Sequence, residues 1–142
     1  MIGADTTFLV QLELVELPGH QAAHALLQRE VLQPQVPLAL APQVLAEFIH
    51  VVTDPRRFQK PLTIPEALAK ARFWWDAAEV QHLFPSNEST ALFLDWMQQH
   101  RLGRKRILDT QLAAILWTSG VRQLLTANPG DFQIFGFHTL TA

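Results

Sequence analysis

The sequence predicts an α/β fold in which a central, mostly parallel sheet of about five strands is covered by helices on both faces. Three observations carry that expectation. Short apolar runs of strand length alternate with longer segments whose apolar residues recur at helical spacing. Clusters of Pro, Gly, Asn and Asp fall between those segments, where the chain must turn. Finally, 142 residues, 49% hydrophobic and 17% charged, suffice for one domain spanning residues 1–142 with its own core. No repeat, low-complexity tract or linker divides it.

Each element has its own warrant. Met1–Ala4 is a short apolar run closed by Asp5 and reads as the opening strand. Thr6–Leu17 reads as a helix that stops at Pro18-Gly19. From His20 to Leu32, Ala22, Ala23, Leu26, Leu27 and Val31 recur at helical spacing, and Pro34 and Pro37 end that helix. Pro37–Ala41 supplies a second strand. Pro42–Thr53 follows as a helix with Val44, Leu45, Phe48, Ile49, Val51 and Val52 inward, broken by Asp54-Pro55-Arg56-Arg57. Thr63 and Glu66 form a capping box with Pro65 in the first turn, opening a helix to about Ala78. Val80–Phe84 is a short strand closed by Pro85. Ser86 or Asn87 caps a helix to about His100, with Leu92, Phe93, Trp96 and Met97 as its apolar stripe. Ile107–Ser119 is a helix ended by Gly120. Arg122–Thr126 is a strand, Asn128-Pro129-Gly130-Asp131 a turn, and Phe137–Leu140 the last strand.

Composition excludes several classes. The most apolar stretch, Val36 to Phe48, is interrupted by Pro37, Pro42, Gln43 and Glu47, so no segment is expected to span a bilayer. The N-terminus lacks the basic stretch of a signal peptide, and a cytoplasmic address is expected. With no cysteine, disulfides and thiolate chemistry are ruled out. A net charge of −2 argues against gripping nucleic acid by overall charge, yet the cations are uneven. Arg56, Arg57 and Lys60, with Arg101, Arg104, Lys105 and Arg106, hold 7 of the 11 lysines and arginines. Such local patches can bind phosphates, although solvated helix ends explain them equally well. Neither glycine-rich nucleotide motif occurs.

The chemistry-bearing pattern is acidic. In parallel α/β sheets, ligands bind beyond the carboxyl ends of the strands. Asp5 follows the first strand, Glu47 sits on the helix after the second, Asp109 opens the helix near Ile107, and Asp131 lies in the turn after the Arg122–Thr126 strand. Carboxylates gathered in a partly dry site repel one another, and Mg²⁺ or Mn²⁺, hard ions that prefer oxygen, would relieve that repulsion. A bound ion lowers the pKa of its water and stabilises charge on a phosphodiester during attack. Each acid also has a structural reading: Asp5 as a helix cap, Glu47 as a solvated position beside Gln43, His50 and Asp54, Asp109 as a favourable charge at a helix N-terminus, Asp131 as a turn residue. His20 and His24 share a helix face in the manner of zinc ligands, but no acid completes a set there. A receiver-type phosphoacceptor would want paired acids after the first strand, and Thr7 is not one.

The same residues carry a resemblance. Met1-Ile2-Gly3-Ala4-Asp5-Thr6-Thr7, Val44-Leu45-Ala46-Glu47-Phe48 through Phe58, Ile107-Leu108-Asp109-Thr110-Gln111-Leu112-Ala113-Ala114, and Leu124-Leu125-Thr126-Ala127-Asn128-Pro129-Gly130-Asp131-Phe132 resemble, in order and spacing, the four signatures of PIN-domain ribonucleases. The small size is similar to that of VapC-type toxins of toxin–antitoxin systems. The resemblance implies a PIN-like α/β/α sandwich and Mg²⁺- or Mn²⁺-dependent endoribonuclease activity on RNA. It maps Asp5, Glu47, Asp109 and Asp131 to catalysis and metal coordination, with Asn128 a rival to Asp131 and with Thr6 and Thr126 in support. Arg56, Arg57, Arg104, Lys105 and Arg106 become candidates for substrate phosphates. Thr7 departs from the asparagine frequent in relatives. A homodimer and a cognate antitoxin protein are implied as partners, with the helices His20–Leu32 and Ile64–Ala78 as candidate antitoxin surface and Trp74 or Trp75 as an anchor. A PIN-like module that binds RNA or protein without cutting is the alternative.

Overall fold

A computed structural model describes residues 1–142. Five short strands, β1 (Ile2–Ala4), β2 (Leu38–Leu40), β3 (Val80–His82), β4 (Gln123–Leu125) and β5 (His138–Leu140), form one sheet in the order β3-β2-β1-β4-β5. Every neighbouring pair is parallel, with Ile2 opposite both Leu38 and Gln123. All residues of β1 and β2 are buried, which requires cover on both faces of the sheet.

The helices supply that cover. They are α1 (Thr6–Glu13), α2 (His20–Leu27, its last turn widened to a π-helix over Gln28–Leu32), α3 (Pro42–Val52), α4 (Ile64–Asp76), α5 (Asn87–Gln99), α6 (Ile107–Thr118) and the single turn α7 (Gly130–Gln133). One group packs α1 on α2 and α3, and α3 on α4; the other packs α6 between α5 and α7. Leu112 to Leu116 are all buried, making α6 the most enclosed helix. It approaches β1 at Gly3, where an added Cβ would lie 3.1 Å from the Leu116 methyls. No helix is long and apolar enough to cross a membrane.

Several expectations shift in detail. The first helix ends at Glu13, short of Leu17, because His20 and His24 reach back from α2. His20 Nδ1 donates to the Gln11 carbonyl (2.9 Å) and His24 Nε2 to that of Leu12 (2.7 Å), satisfying carbonyls at the end of α1. No third ligand joins the pair to make a zinc site. The Asn128–Asp131 segment is not a simple turn but the entry to α7, pinned by the fully buried Phe132. A 3₁₀ turn, Arg104–Arg106, precedes α6. Trp74 is buried, whereas Trp75 is half-buried and stacks on His82 at 3.6 Å.

Both helix caps form. Thr63 N–H donates to Glu66 Oε1 (3.0 Å) and Glu66 N–H to Thr63 Oγ1 (3.2 Å). Ser86 makes the equivalent pair with Ser89, a residue that the usual Glu/Gln signature does not flag. Thr63→Ala removes one half of the first box and is expected to cost about 1 kcal/mol. Urea unfolding would measure this; an unchanged midpoint would show that the cap contributes nothing.

Candidate active site

The strand order reverses direction at β1: the chain proceeds to β2 and β3 on one side, then returns to β4 and β5 on the other. Crevices beyond the carboxyl ends of strands at such a switch point are where open parallel sheets bind ligands. Asp5 and Thr126, each the first residue after its strand, meet there. Asp5 caps α1 by accepting from the Phe8 N–H (3.0 Å) on Oδ1, which also accepts from Thr7 Oγ1 (2.7 Å). Thr126 Oγ1 donates to Asp5 Oδ2 (2.6 Å). With 3% of its surface exposed, Asp5 is a buried carboxylate that accepts two hydrogen bonds on Oδ1 and one on Oδ2, leaving one lone pair of Oδ2 unused. Burial pushes its pKa up, against the pull of the bonds from Thr126, Thr7 and Phe8, and Asp131 adds repulsion.

Thr7 is therefore a supporting residue that sequence reasoning had counted only as a departure. Its hydroxyl also accepts from the Ala127 N–H (2.9 Å), and Thr126 accepts from the Asn128 N–H (3.0 Å), so the two threonines lock the loop after β4 onto Asp5. Thr6 serves a different acid: its hydroxyl points to the Val44 carbonyl (3.4 Å) and to Glu47 Oε2 (3.5 Å).

Glu47 projects from the middle of α3, at the flank of the buried stripe formed by Val44, Phe48 and Val52. Burial raises its pKa and Asp5 adds repulsion, with Thr6 and Gln43 opposing. Gln43 was not foreseen; its Nε2 donates to the Leu108 carbonyl (3.0 Å) and so joins α3 to the start of α6. Asp109 lies there, in the first turn of α6. A helix N-terminus favours the ionised form, yet burial and the charges of Asp131, Asp5 and Glu47 push Asp109 up to about 6, with Arg106 opposing.

Asp5, Glu47 and Asp109 line one cavity of about 470 Å³, with Thr6, Thr7 and His50. Its wall also carries Arg57, Arg104 and Lys105, so an acidic floor lies among cations drawn from both basic clusters. The other candidates stand elsewhere. Arg56 is exposed and lies outside the cavity, although both it and Arg57 pair with Asp54 (3.3 and 3.5 Å). Arg106 turns toward α7, donating to the Asp131 carbonyl and lying 4.0 Å from Asp131 Oδ1. Asp131 thus has a cation of its own and acts on Asp5 and Asp109 through charge. Asn128 lines an adjoining cavity with Thr6 and Thr7. A larger hollow of about 600 Å³ lies between Val31, Pro37 and Val80, but Glu79 is the sole ionisable group in its wall.

Three oxygen-donor acids suit a hard divalent ion. No group of three His, Asp or Glu side chains is arranged to hold one as the side chains stand. The fit to such an ion is one of donor chemistry, in the three acids that line the cavity.

No family model matches the chain. Ribonuclease VapC24 of Mycobacterium tuberculosis, in strains CDC 1551 and H37Rv alike, is 30% identical over 146 positions, covering 96% of this chain and 92% of the relative. Among solved structures, Mycobacterium tuberculosis VapC20, described as a Sarcin-Ricin loop cleaving toxin, superposes with a TM-score of 0.76 over 97% of both chains at 19% identity. VapBC2 from Rickettsia felis, bound to a DNA fragment from its promoter, matches with a TM-score of 0.64 at 17% identity, covering 99% of this chain and 98% of that one. FitAB bound to the IR36 DNA fragment matches with a TM-score of 0.63 at 14% identity, covering 99% and 94%. The solved structures share the fold, and the relative that aligns along nearly the whole of both sequences places this chain in the VapC family of PIN-domain ribonucleases.

Proposed function

We propose that the protein is a Mg²⁺- or Mn²⁺-dependent endoribonuclease, acting in the cytoplasm as the toxin of a toxin–antitoxin pair. The observation that carries this reading is the convergence of Asp5, Glu47 and Asp109 on one cavity that Arg57, Arg104 and Lys105 also line. Acids alone would repel RNA; cations beside them hold a phosphodiester against the acids. The VapC24 relative supports the choice of RNA.

Asp5, Glu47 and Asp109 would hold the metal, which when bound supplies hydroxide near neutral pH and neutralises charge on the attacked phosphate. The chain's own residues do the rest. Thr7 and Thr126 fix the rotamer of Asp5, Gln43 fixes α3 against α6, and Arg57, Arg104 and Lys105 bind backbone phosphates. Asp131 deepens the negative potential at Asp5 and Asp109 while Arg106 limits it.

For the antitoxin, α4 offers the surface: Ile64 and Leu68 are exposed on one side of it, and a groove of about 490 Å³ runs between α3 and α4 past Leu45, Ile49, Leu68 and Trp75. Contiguous exposed apolar surface beside a groove is a mark of a partner site. Self-association as a homodimer completes the proposal.

The deciding experiment incubates purified protein with a labelled total-RNA pool in Mn²⁺ or in EDTA. Cleavage in Mn²⁺ that EDTA abolishes is the expected result. Folded, Mn²⁺-bound protein that leaves all RNA intact would replace the nuclease with an RNA- or protein-binding module; cleavage in EDTA would defeat the metal assignment.

A further inference from the structure

A second cavity, of about 320 Å³, adjoins the acidic one and shares Thr6, Thr7, Val51 and Arg57 with it as a common wall. Its remaining lining differs in kind: Val10, Gln11, Leu17, Phe58, Ala127 and Asn128, with no acid. Three features there bear on what it could receive. Gln11 Oε1 is buried without a hydrogen-bond partner, a state that costs stability and calls for an explanation. The Gln11 amide is held in place because Gly19 leaves room for it; a Cβ at that position would meet Nε2 at 2.6 Å. The Asn128 side chain is exposed and makes no hydrogen bond within the chain, although its backbone is fixed on Thr126. Phe58 is only half-buried, yet its loop is anchored firmly: Glu16 accepts from the N–H groups of Gln59 (3.2 Å) and Lys60 (2.9 Å), and Leu62 N–H donates to the Val52 carbonyl (2.8 Å).

We propose that this second cavity is a nucleobase subsite, receiving an unpaired base next to the phosphodiester that the acidic cavity engages. The inference rests on the ribonuclease reading for that neighbouring phosphate. Sequence-selective RNA recognition works on unstacked bases, which combine an aromatic stacking face with polar groups reading the base edge. Phe58 supplies the face. Gln11, in the same wall, supplies an amide for the base edge, and the Asn128 amide supplies both a donor and an acceptor. Arg57, in the wall between the cavities, is placed for the phosphate that joins the two nucleotides. These residues set which nucleotide flanks the cut.

Binding without cleavage tests this separately from the nuclease. Fluorescence anisotropy in EDTA would compare fluorescein-labelled decamers of oligo(A), oligo(C) and oligo(U) with an abasic ribose decamer of equal charge. At least one base-bearing decamer is expected to bind about 5- to 100-fold tighter than the abasic one, the range of a single base–aromatic stack. Phe58→Leu, which keeps an apolar side chain without the ring, removes most of that advantage. Gln11→Met evens out the preference among bases without lowering the melting temperature, since it deletes a buried group that has no partner. Equal binding of base-bearing and abasic decamers by wild type, or an advantage unmoved by Phe58→Leu and Asn128→Ala, overturns the subsite. Base-dependent binding by a protein that cuts no RNA would retain the subsite and sink the nuclease; RNA cleavage whose nucleotide preference ignores Phe58→Leu would do the reverse.

Discussion

Asp5→Asn is expected to lower Mn²⁺-dependent RNA cleavage by about 100- to 1,000-fold, equivalent to about 3–4 kcal/mol of transition-state stabilisation, while leaving the fold intact. The two halves of that expectation come from the same contacts. Asparagine has the shape of aspartate, and its carbonyl oxygen can still accept from the Phe8 N–H and Thr7, so the cap on α1 survives. Its amide nitrogen would face Thr126, whose hydroxyl can rotate from donor to acceptor because oxygen has two lone pairs. Stability should therefore move by no more than about 1 kcal/mol. The lost charge has no such substitute. Cleavage rates beside a thermal melt separate the effects: a folded variant retaining more than a tenth of wild-type activity would remove Asp5 from the metal site.

Much of this arrangement was legible in the sequence, and what was not has physical causes. Asp5, Glu47 and Asp109 could be placed because their positions follow from element boundaries: one ends a strand, two sit on helices that must bury their other faces. The five-strand sheet followed from apolar runs too short to be helices. Thr7 was missed because its role depends on direction. Side chains in the first turn of a helix lean toward its N-terminus, which turns Thr7 back over Asp5. The basic run at Arg104–Arg106 looked like one patch, but a 3₁₀ turn rotates about 120° per residue. Arg104 and Lys105 therefore line the acidic cavity while Arg106 turns to Asp131. Spacing along a chain identifies which residues carry charge; only the backbone path decides which of them share a cavity.

The sharpest expectation concerns Asp109, where removing the charge should make a more stable and inactive protein. The folded chain holds the Asp109 pKa at about 6, above its ordinary 3.8, so folding favours the neutral acid. The sign follows: the contribution is fully present below pH 3.8 and is lost as pH rises through 6, leaving ionised Asp109 as a cost at neutral pH and above. A shift of that size corresponds to about 3 kcal/mol for a wholly enclosed group; the carboxyl is partly exposed, and solvent screening reduces this to about 1–2 kcal/mol. At pH 8 in EDTA, Asp109→Asn should therefore melt about 3–6 °C above wild type, and the gap should close toward pH 4. Millimolar Mn²⁺ should then raise the wild-type melt more than that of the variant, since ligand binding stabilises the native state only where the ligands remain. This pattern separates the two readings of an acid in a first helical turn. Were Asp109 there to favour the α6 dipole, replacing it would destabilise the protein. A variant melting below wild type at pH 8 without metal would establish that role and withdraw Asp109 from the site. A variant that melts higher and cuts no RNA would show that the chain tolerates a repelling charge for what it binds.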